Sequence, residues 1–202
     1  MMEPSAVKIE LATPNEVTLA EYGRIPISFE VREVMDVQAA ESSAGFHLTP
    51  HSVAKPYVKD YDSGTHEGPT GWPLRFDTSP WILMLARSDG RAIGGAAVAC
   101  RTPALRVLEG RFNLAVLWDL RVRPDVRRRG VGTALFAAAE AWARDRGYEQ
   151  LKVETQNINV PACRFYAGQG CVLRGVHHGA YADCPDEVQL LWYKELTGST
   201  MS

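Results

Sequence analysis

An α+β (α/β) fold, built on a mixed central sheet with helices on both faces, is what this sequence predicts, and three observations carry the prediction. Two apolar runs, 81–86 (WILMLA) and 92–101 (AIGGAAVACR), flank a Ser-Asp-Gly-Arg turn and read as a β-hairpin. A strand over 114–122, an alanine-rich helix and a strand over 150–156 follow in that order, which makes a right-handed crossover between parallel strands. Two more alternating runs, CVLRGVHHG (171–179) and EVQLLWYKEL (187–196), finish the chain as antiparallel neighbours.

Taken in order, residues 1–24 offer one weak strand, VKIELAT, and little else. ISFEVREVMDVQAAE (27–41) fits either period, and the reading favoured here is a short helix around 32–42. The stretch 42–80, with Gly64, Gly68, Pro69 and Gly71, is a long connection of the kind that forms lids and binding loops. Its aromatic and basic part, HSVAKPYVKDYD, is expected over a ligand mouth. Gly94 and Gly95 inside the second hairpin strand suggest a bulge or a close backbone approach. RFNLAVLWDLRV (111–122) is apolar on both faces at its centre, as in mid-sheet. In the helix, Val131, Leu135, Ala138 or Ala139, and Trp142 form one stripe, and Gly147 closes it after Arg144 and Arg146. Asn159 then precedes Val160 and Pro161, a plausible N-cap for a helix reaching about Ala167. Gly198 to Ser202 reads as a frayed tail.

Composition narrows the function classes. With 202 residues, one domain over 1–202 is expected, and 46% hydrophobic with 23% charged residues is ordinary for a globular chain. A net charge of −2 argues against general nucleic-acid affinity. No apolar run nears the roughly 20 residues that span a bilayer, and the N-terminus lacks a signal peptide's basic and apolar regions. Cys100, Cys163, Cys171 and Cys184 contain no C-x-x-C pair, so buried or idle thiols in a reducing cytoplasm are expected. His177, His178 and Cys184 are spaced too loosely for zinc, and no metal is expected.

The stretch Val122 to Arg146 is where chemistry concentrates. A strand runs through a basic turn containing Gly130 and Gly132 into a helix start, where orphan N–H groups and the positive end of the dipole suit phosphate. Arg127, Arg128 and Arg129 reinforce an anionic ligand. No Gly-Lys-Ser/Thr follows, so this is not a Walker loop, and GVGTAL lacks the third glycine of a dinucleotide fingerprint. It does match R-x-x-G-x-G through Arg127, Gly130 and Gly132. A second signature, N-x-x-A-x-x-F-Y, is formed by Asn159, Ala162, Phe165 and Tyr166. With both motifs in order, the chain resembles the GNAT superfamily of acetyl-CoA-dependent N-acetyltransferases. KPYVKDYD (55–62), the run 118–133, VETQNINVPACRFY (153–166) and DEVQLLWYKEL look like the bacterial streptothricin acetyltransferases in particular. The segment after Tyr61, DSGTHEGPTGW, is less acidic than in that subgroup, which leaves the acceptor open.

The resemblance implies the GNAT fold, with about six to seven strands in the mixed sheet, and acetyl-CoA as co-substrate. It assigns the coenzyme pyrophosphate to backbone amides of Arg128, Arg129, Gly130, Val131, Gly132 and Thr133, and the pantetheine arm to main-chain groups of Leu120 and Val122. Asn159 would bond that arm or cap its helix. Tyr166 would protonate the departing thiolate. An acceptor amine with pKa near 10.4 is only about 0.04% neutral at pH 7, so a base is useful. Asp119 and Glu154 are the candidates, and the sequence does not rank them. Trp118, Tyr57 and Tyr61 supply π-faces for a cationic substrate. Cys163 reads as packing, since this family usually transfers acetyl directly, and His177 and His178 as surface residues.

The expected activity is therefore transfer of acetyl to a primary amine of a small cationic molecule, with streptothricin the narrowest candidate and antibiotic resistance the consequence. A protein or peptide amine, or an acetyl-CoA-binding module with little turnover, are the alternatives. Dimers are common in the family, so a homodimer is compatible.

Overall fold

The computed structural model describes residues 7–40, 45–64 and 67–196; the expected tail at 198–202 lies outside them. Its elements are β1 (Lys8–Ala12), α1 (Glu16–Gly23), β2 (Phe29–Ala39), β3 (Phe46–Lys59), α2 (Trp72–Arg75), β4 (Ile82–Ser88) and β5 (Arg91–Ala99), followed by β6 (Leu114–Val122), α3 (Val131–Asp145), β7 (Gln150–Gln156), α4 (Val160–Gly168), β8 (Val172–His177) and β9 (Gln189–Glu195). Seven strands form one mixed sheet in the order β1-β4-β5-β6-β7-β9-β8, and β2 pairs with β3 in a separate ribbon. Only β6 and β7 run parallel; the other neighbours are antiparallel.

The crossover forms because its helix has one apolar face. Val131, Leu135, Phe136, Ala139, Trp142 and Ala143 of α3 are buried, and they pack on Ala96, Val98, Ala115, Leu117, Leu151 and Val153 of the sheet together with α4. Gly147, at φ +76°, ends the helix as expected. On the opposite face Leu19 and Tyr22 of α1 join Trp72, Trp81, Leu83, Leu85, Ala97 and Val116. Helices therefore cover both faces. The short α1 gave little signal because only Leu19 and Tyr22 are buried; what starts it is a capping box between Asn15 and Thr18.

Two expectations are corrected. The helix expected around 32–42 is strand β2, because Val31 and Met35 alternate inward and the whole segment pairs with β3; residues 41–44 lie outside the described ones. The connection expected over 42–80 contains strand β3 over Phe46–Lys59, and irregular chain begins only after Lys59. Pro50 and Pro56 disguise that strand. They are tolerated because β3 is an edge, with no second partner to need their missing N–H. The ribbon is pinned to the main sheet by buried Asn157, whose C=O accepts from Met35 N–H at 2.9 Å and whose Nδ2 donates to the Met35 carbonyl at 3.2 Å. A largely buried ion pair, Lys59 to Glu187 (2.6 Å), and an exposed one, Arg164 to Glu33 (3.2 Å), add further ties.

The two features that shape the site lie along β6. Its register against β5 shifts between Leu117 and Asp119, leaving Trp118 as the extra residue of a bulge. Its parallel pairing with β7 covers only Leu114–Leu117 against Gln150–Val153. Beyond that point the two strands part and a wedge opens between them. The close approach expected at Gly94 and Gly95 is present: a Cβ on Gly95 would sit 2.5 Å from the Tyr22 ring, and one on Gly94 2.9 Å from Val131. Gly95→Ala is expected to cost about 1–3 kcal/mol by overpacking, read from urea unfolding. Gly168→Ala, with nothing near its Cβ, should change stability by less than about 1 kcal/mol.

Candidate active site

A cavity of about 690 Å³ fills the wedge. Its lining includes Trp118 to Val122 of β6, Val153 to Gln156 of β7, the start of α3 and the first residues of α4 through Tyr166. A volume of this size suits a cofactor-sized ligand.

At one end lies the turn into α3. Arg128 (φ +64°) and Gly130 (φ +84°) are both left-handed, and Gly130 is the N-cap residue with no side-chain cap. By contrast, Asn15 and Asn159 cap α1 and α4 with their own side chains. Ala134 N–H already donates to the Gly130 carbonyl at 2.9 Å. The N–H groups of Val131, Gly132 and Thr133 have no partner among the described residues, and all three line the cavity. Uncapped donors at the positive end of α3, on a wall free of side-chain bulk at Gly130 and Gly132, fit a pyrophosphate. Arg128 lines this end, whereas Arg129 is not on the cavity wall. The Arg127 guanidinium is used structurally: Nε donates to the Val122 carbonyl at 3.0 Å and Nη2 to the Ser28 carbonyl at 3.1 Å. It braces the cavity rim, and burial pulls its pKa down.

In the middle, Leu120 and Val122 lie on the β6 edge that β7 has left, so backbone groups there face the wedge instead of a strand. Asn159 Oδ1 accepts from Ala162 N–H at 3.2 Å, so its capping role is present. Its Nδ2 points to the Tyr61 hydroxyl at 3.4 Å. Tyr61 in turn donates to Gln156 Oε1 and packs on Phe29. It lines the cavity, but Tyr57 does not: Tyr57 lies on the ribbon with nearly half its surface exposed.

Tyr166 is 6% exposed and lines the cavity, and its hydroxyl has no hydrogen-bond partner among the described residues. Burial first, then the Asp119 charge, raise its pKa well above that of a free tyrosine, so it is a neutral phenol at any physiological pH. Cys163 lies against Thr155 (3.6 Å), and burial pushes its thiol up to about 11. That leaves it protonated and unreactive near neutrality, in line with packing.

The two carboxylates differ sharply. Asp119 Oδ1 accepts from the Tyr22 hydroxyl at 2.6 Å and Arg121 Nε at 2.9 Å, while Oδ2 accepts from Arg121 Nη2 at 2.5 Å. Glu154 is the first β7 residue beyond the last β6 pair, and its side chain accepts one bond, from the Tyr181 hydroxyl at 2.8 Å. Trp118 is both wall and packing: its ring meets Trp72, Phe76 and Trp81 at centroid distances of 6.4, 5.6 and 5.7 Å.

Sequence reasoning missed Arg121, whose side chain is fully buried. It donates to Asp62 Oδ2 (2.8 Å) and to the Ile25 carbonyl (3.1 Å), and its guanidinium lies 5.0 Å from the Tyr22 ring centroid. The signal was available: Asp119 and Arg121 are two charges on one face of an apolar strand. Tyr22, Asp62, Gln156 and Tyr181 had no local signal. Among the described residues no group of three His, Cys, Asp or Glu side chains is arranged to hold a metal, and no helix is long and apolar enough to cross a membrane.

Residues 50–171 match the acetyltransferase (GNAT) family. A streptothricin acetyltransferase of Escherichia coli is 32% identical over 169 residues, 82% of this chain and 84% of the relative. Streptothricin acetyltransferase A of Bacillus subtilis (strain 168) is 38% identical over 81 residues, 39% of this chain and 47% of that relative, so the chain spans under half of its length. Among solved structures, a nourseothricin acetyltransferase superposes with a TM-score of 0.71 at 24% identity, over 96% of this chain and 100% of the other. That likeness shows the same fold.

The Arg121 cluster yields a direct expectation. Arg121→Met removes the shared donor and leaves the largely buried carboxylates of Asp119 and Asp62 unpaired. A loss of about 3–5 kcal/mol is expected in chemical denaturation.

Proposed function

The chain belongs to the GNAT family of acetyltransferases, and on that premise we propose that it moves acetyl from acetyl-CoA to a primary amine of a small cationic molecule. Streptothricin, at an amine of its β-lysine part, is the narrowest candidate, and protection of a cytoplasm against that antibiotic is the consequence. Residues 1–202 act as one domain in this reading. The observation that carries it is the wedge between β6 and β7, with uncapped α3 donors at one end and Glu154 at its crotch.

Acetyl-CoA supplies the activated acetyl group. The α3 amides and Arg128 hold its pyrophosphate, and the free edge of β6 at Leu120 and Val122 orients the arm so that its thioester lies beside Tyr166. An N–H of the same edge polarises the thioester carbonyl. Glu154 is the better base: its side chain accepts only one hydrogen bond among the described residues, and it lines the cavity. Asp119 already accepts from three donors, so its charge is committed to Arg121 and Tyr22. It attracts an incoming cation without taking its proton. Once nitrogen has bonded to the acetyl carbon, the buried Tyr166 phenol gives its proton to the departing sulfur. Trp118 and Tyr61 flank the amine with π-faces.

Free-thiol release across a panel of amines tests the acceptor, with streptothricin expected to turn over; an inert streptothricin beside an active aminoglycoside would remove the narrow assignment. Tyr166→Phe should lower kcat by about a hundredfold or more, with acetyl-CoA Kd within about twofold of the parent. Glu154→Gln should lower kcat/KM by about a hundredfold or more with the unfolding midpoint near the parent's, whereas Asp119→Asn should lower the unfolding midpoint and cost less turnover. The reverse pattern would move the base to Asp119.

A further inference from the structure

Lys152, Glu154 and Gln156 share one face of β7, the face turned away from Val153 and Thr155. The outer pair is committed elsewhere. The Lys152 ammonium donates to Glu109 at 2.6 Å and to the Val107 carbonyl at 3.0 Å, and Gln156 Oε1 accepts from the Tyr61 hydroxyl. Neither neighbour along the strand therefore holds Glu154. Among the described residues its one donor is the Tyr181 hydroxyl, 2.8 Å from Oε1.

Tyr181 belongs to the β8–β9 connection and does not line the cavity, although Glu154 does. Its only route to the cavity is through that carboxylate. Burial first, then the Glu154 charge, raise the Tyr181 pKa well above that of a free tyrosine, so the phenol keeps its proton and stays a donor. The connection that carries it is braced. Cys184 N–H donates to the Tyr181 carbonyl at 3.1 Å, and Glu187 N–H to the Cys184 carbonyl at 3.0 Å. At the far end Glu187 pairs with Lys59 at 2.6 Å, and Val188 N–H donates to Asn157 Oδ1 at 2.9 Å. The hydroxyl is thus a fixed point of attachment, whereas a glutamate side chain left to itself samples several rotamers.

We propose that Tyr181 is a positioning residue for acetyl transfer: its hydroxyl holds the Glu154 carboxylate in the one rotamer from which it takes the amine proton. The inference rests on the acetyl-transfer reading above, with Glu154 as base. A donor on a carboxylate opposes proton uptake, but misplacing a catalytic group by about 1 Å costs about a hundredfold in rate. Orientation is the larger effect, so losing the hydroxyl slows the reaction.

Tyr181→Phe keeps the ring and removes only the bond. With streptothricin, or whichever amine of the panel turns over, its kcat should fall at least about tenfold. Acceptor KM and acetyl-CoA Kd should stay within about twofold of the parent, and the unfolding midpoint close to the parent's. Introduced into Glu154→Gln, the same change should alter kcat by less than about twofold, because the residue acts only through that carboxylate. A merely structural tyrosine would lower kcat by the same factor in both backgrounds. Such additivity would overturn the inference, as would a parental kcat in Tyr181→Phe, and either leaves Glu154 as base so long as Glu154→Gln alone keeps its loss. A Glu154→Gln enzyme with parental turnover removes the base and this inference with it.

Discussion

The buried guanidinium of Arg121 is the constraint on which one side of the cavity depends. It gathers Asp119 of its own strand, Asp62 of the chain after the ribbon, the carbonyl that follows α1, and the Tyr22 ring. Each partner arrives from a different part of the sequence, and none has another cation within reach among the described residues. A fully desolvated guanidinium is tolerable only with this many acceptors in good geometry. The cluster therefore fixes relative positions: α1 against β5 and β6, and the chain around Asp62 against the cavity mouth. It also decides the chemistry of Asp119, whose lone pairs face donors instead of a substrate proton.

The second determinant is a failure of pairing. β6 and β7 are held parallel over only four residue pairs, and the bulge at Trp118 turns β6 away at that point. A parallel sheet would otherwise bury these backbone groups in its ladder. Parting the strands opens one β6 edge to the cavity, sets Glu154 at the crotch, and leaves the α3 start pointing into the gap. At Leu120 and Val122 the backbone groups that the sheet gives up face the cavity instead, with the Val122 carbonyl accepting from Arg127.

The ribbon β2–β3 contributes at longer range. Asn157, at the end of β7, bonds Met35 of the ribbon in both directions and also pairs with Val188 before β9. One buried amide thus joins the ribbon, the end of the wedge and the β8–β9 connection that carries Tyr181. Tyr61, two residues beyond β3, then reaches Gln156 and Asn159. Residues far apart in sequence are brought into one rim of the cavity by these few polar contacts.

Much of this protein was legible in its residues. Strands β4 to β9, the crossover helix, the Asn159 cap and the glycine approaches at 94 and 95 are all local patterns: apolar periodicity, a turn dipeptide, a capping side chain. So was the glycine-containing turn into α3, because its left-handed Gly130 and uncapped helix start are local backbone geometry that glycine spacing encodes. The ribbon was not legible because its strand periodicity is imperfect and two prolines interrupt β3, so its identity comes from the pairing of β2 with β3. Which carboxylate is free and which arginine is structural were decided only by the tertiary structure. Hydrogen-bond saturation is a property of neighbours: Asp119 and Glu154 are equivalent carboxylates in a strand until Arg121 and Tyr22 close around one of them.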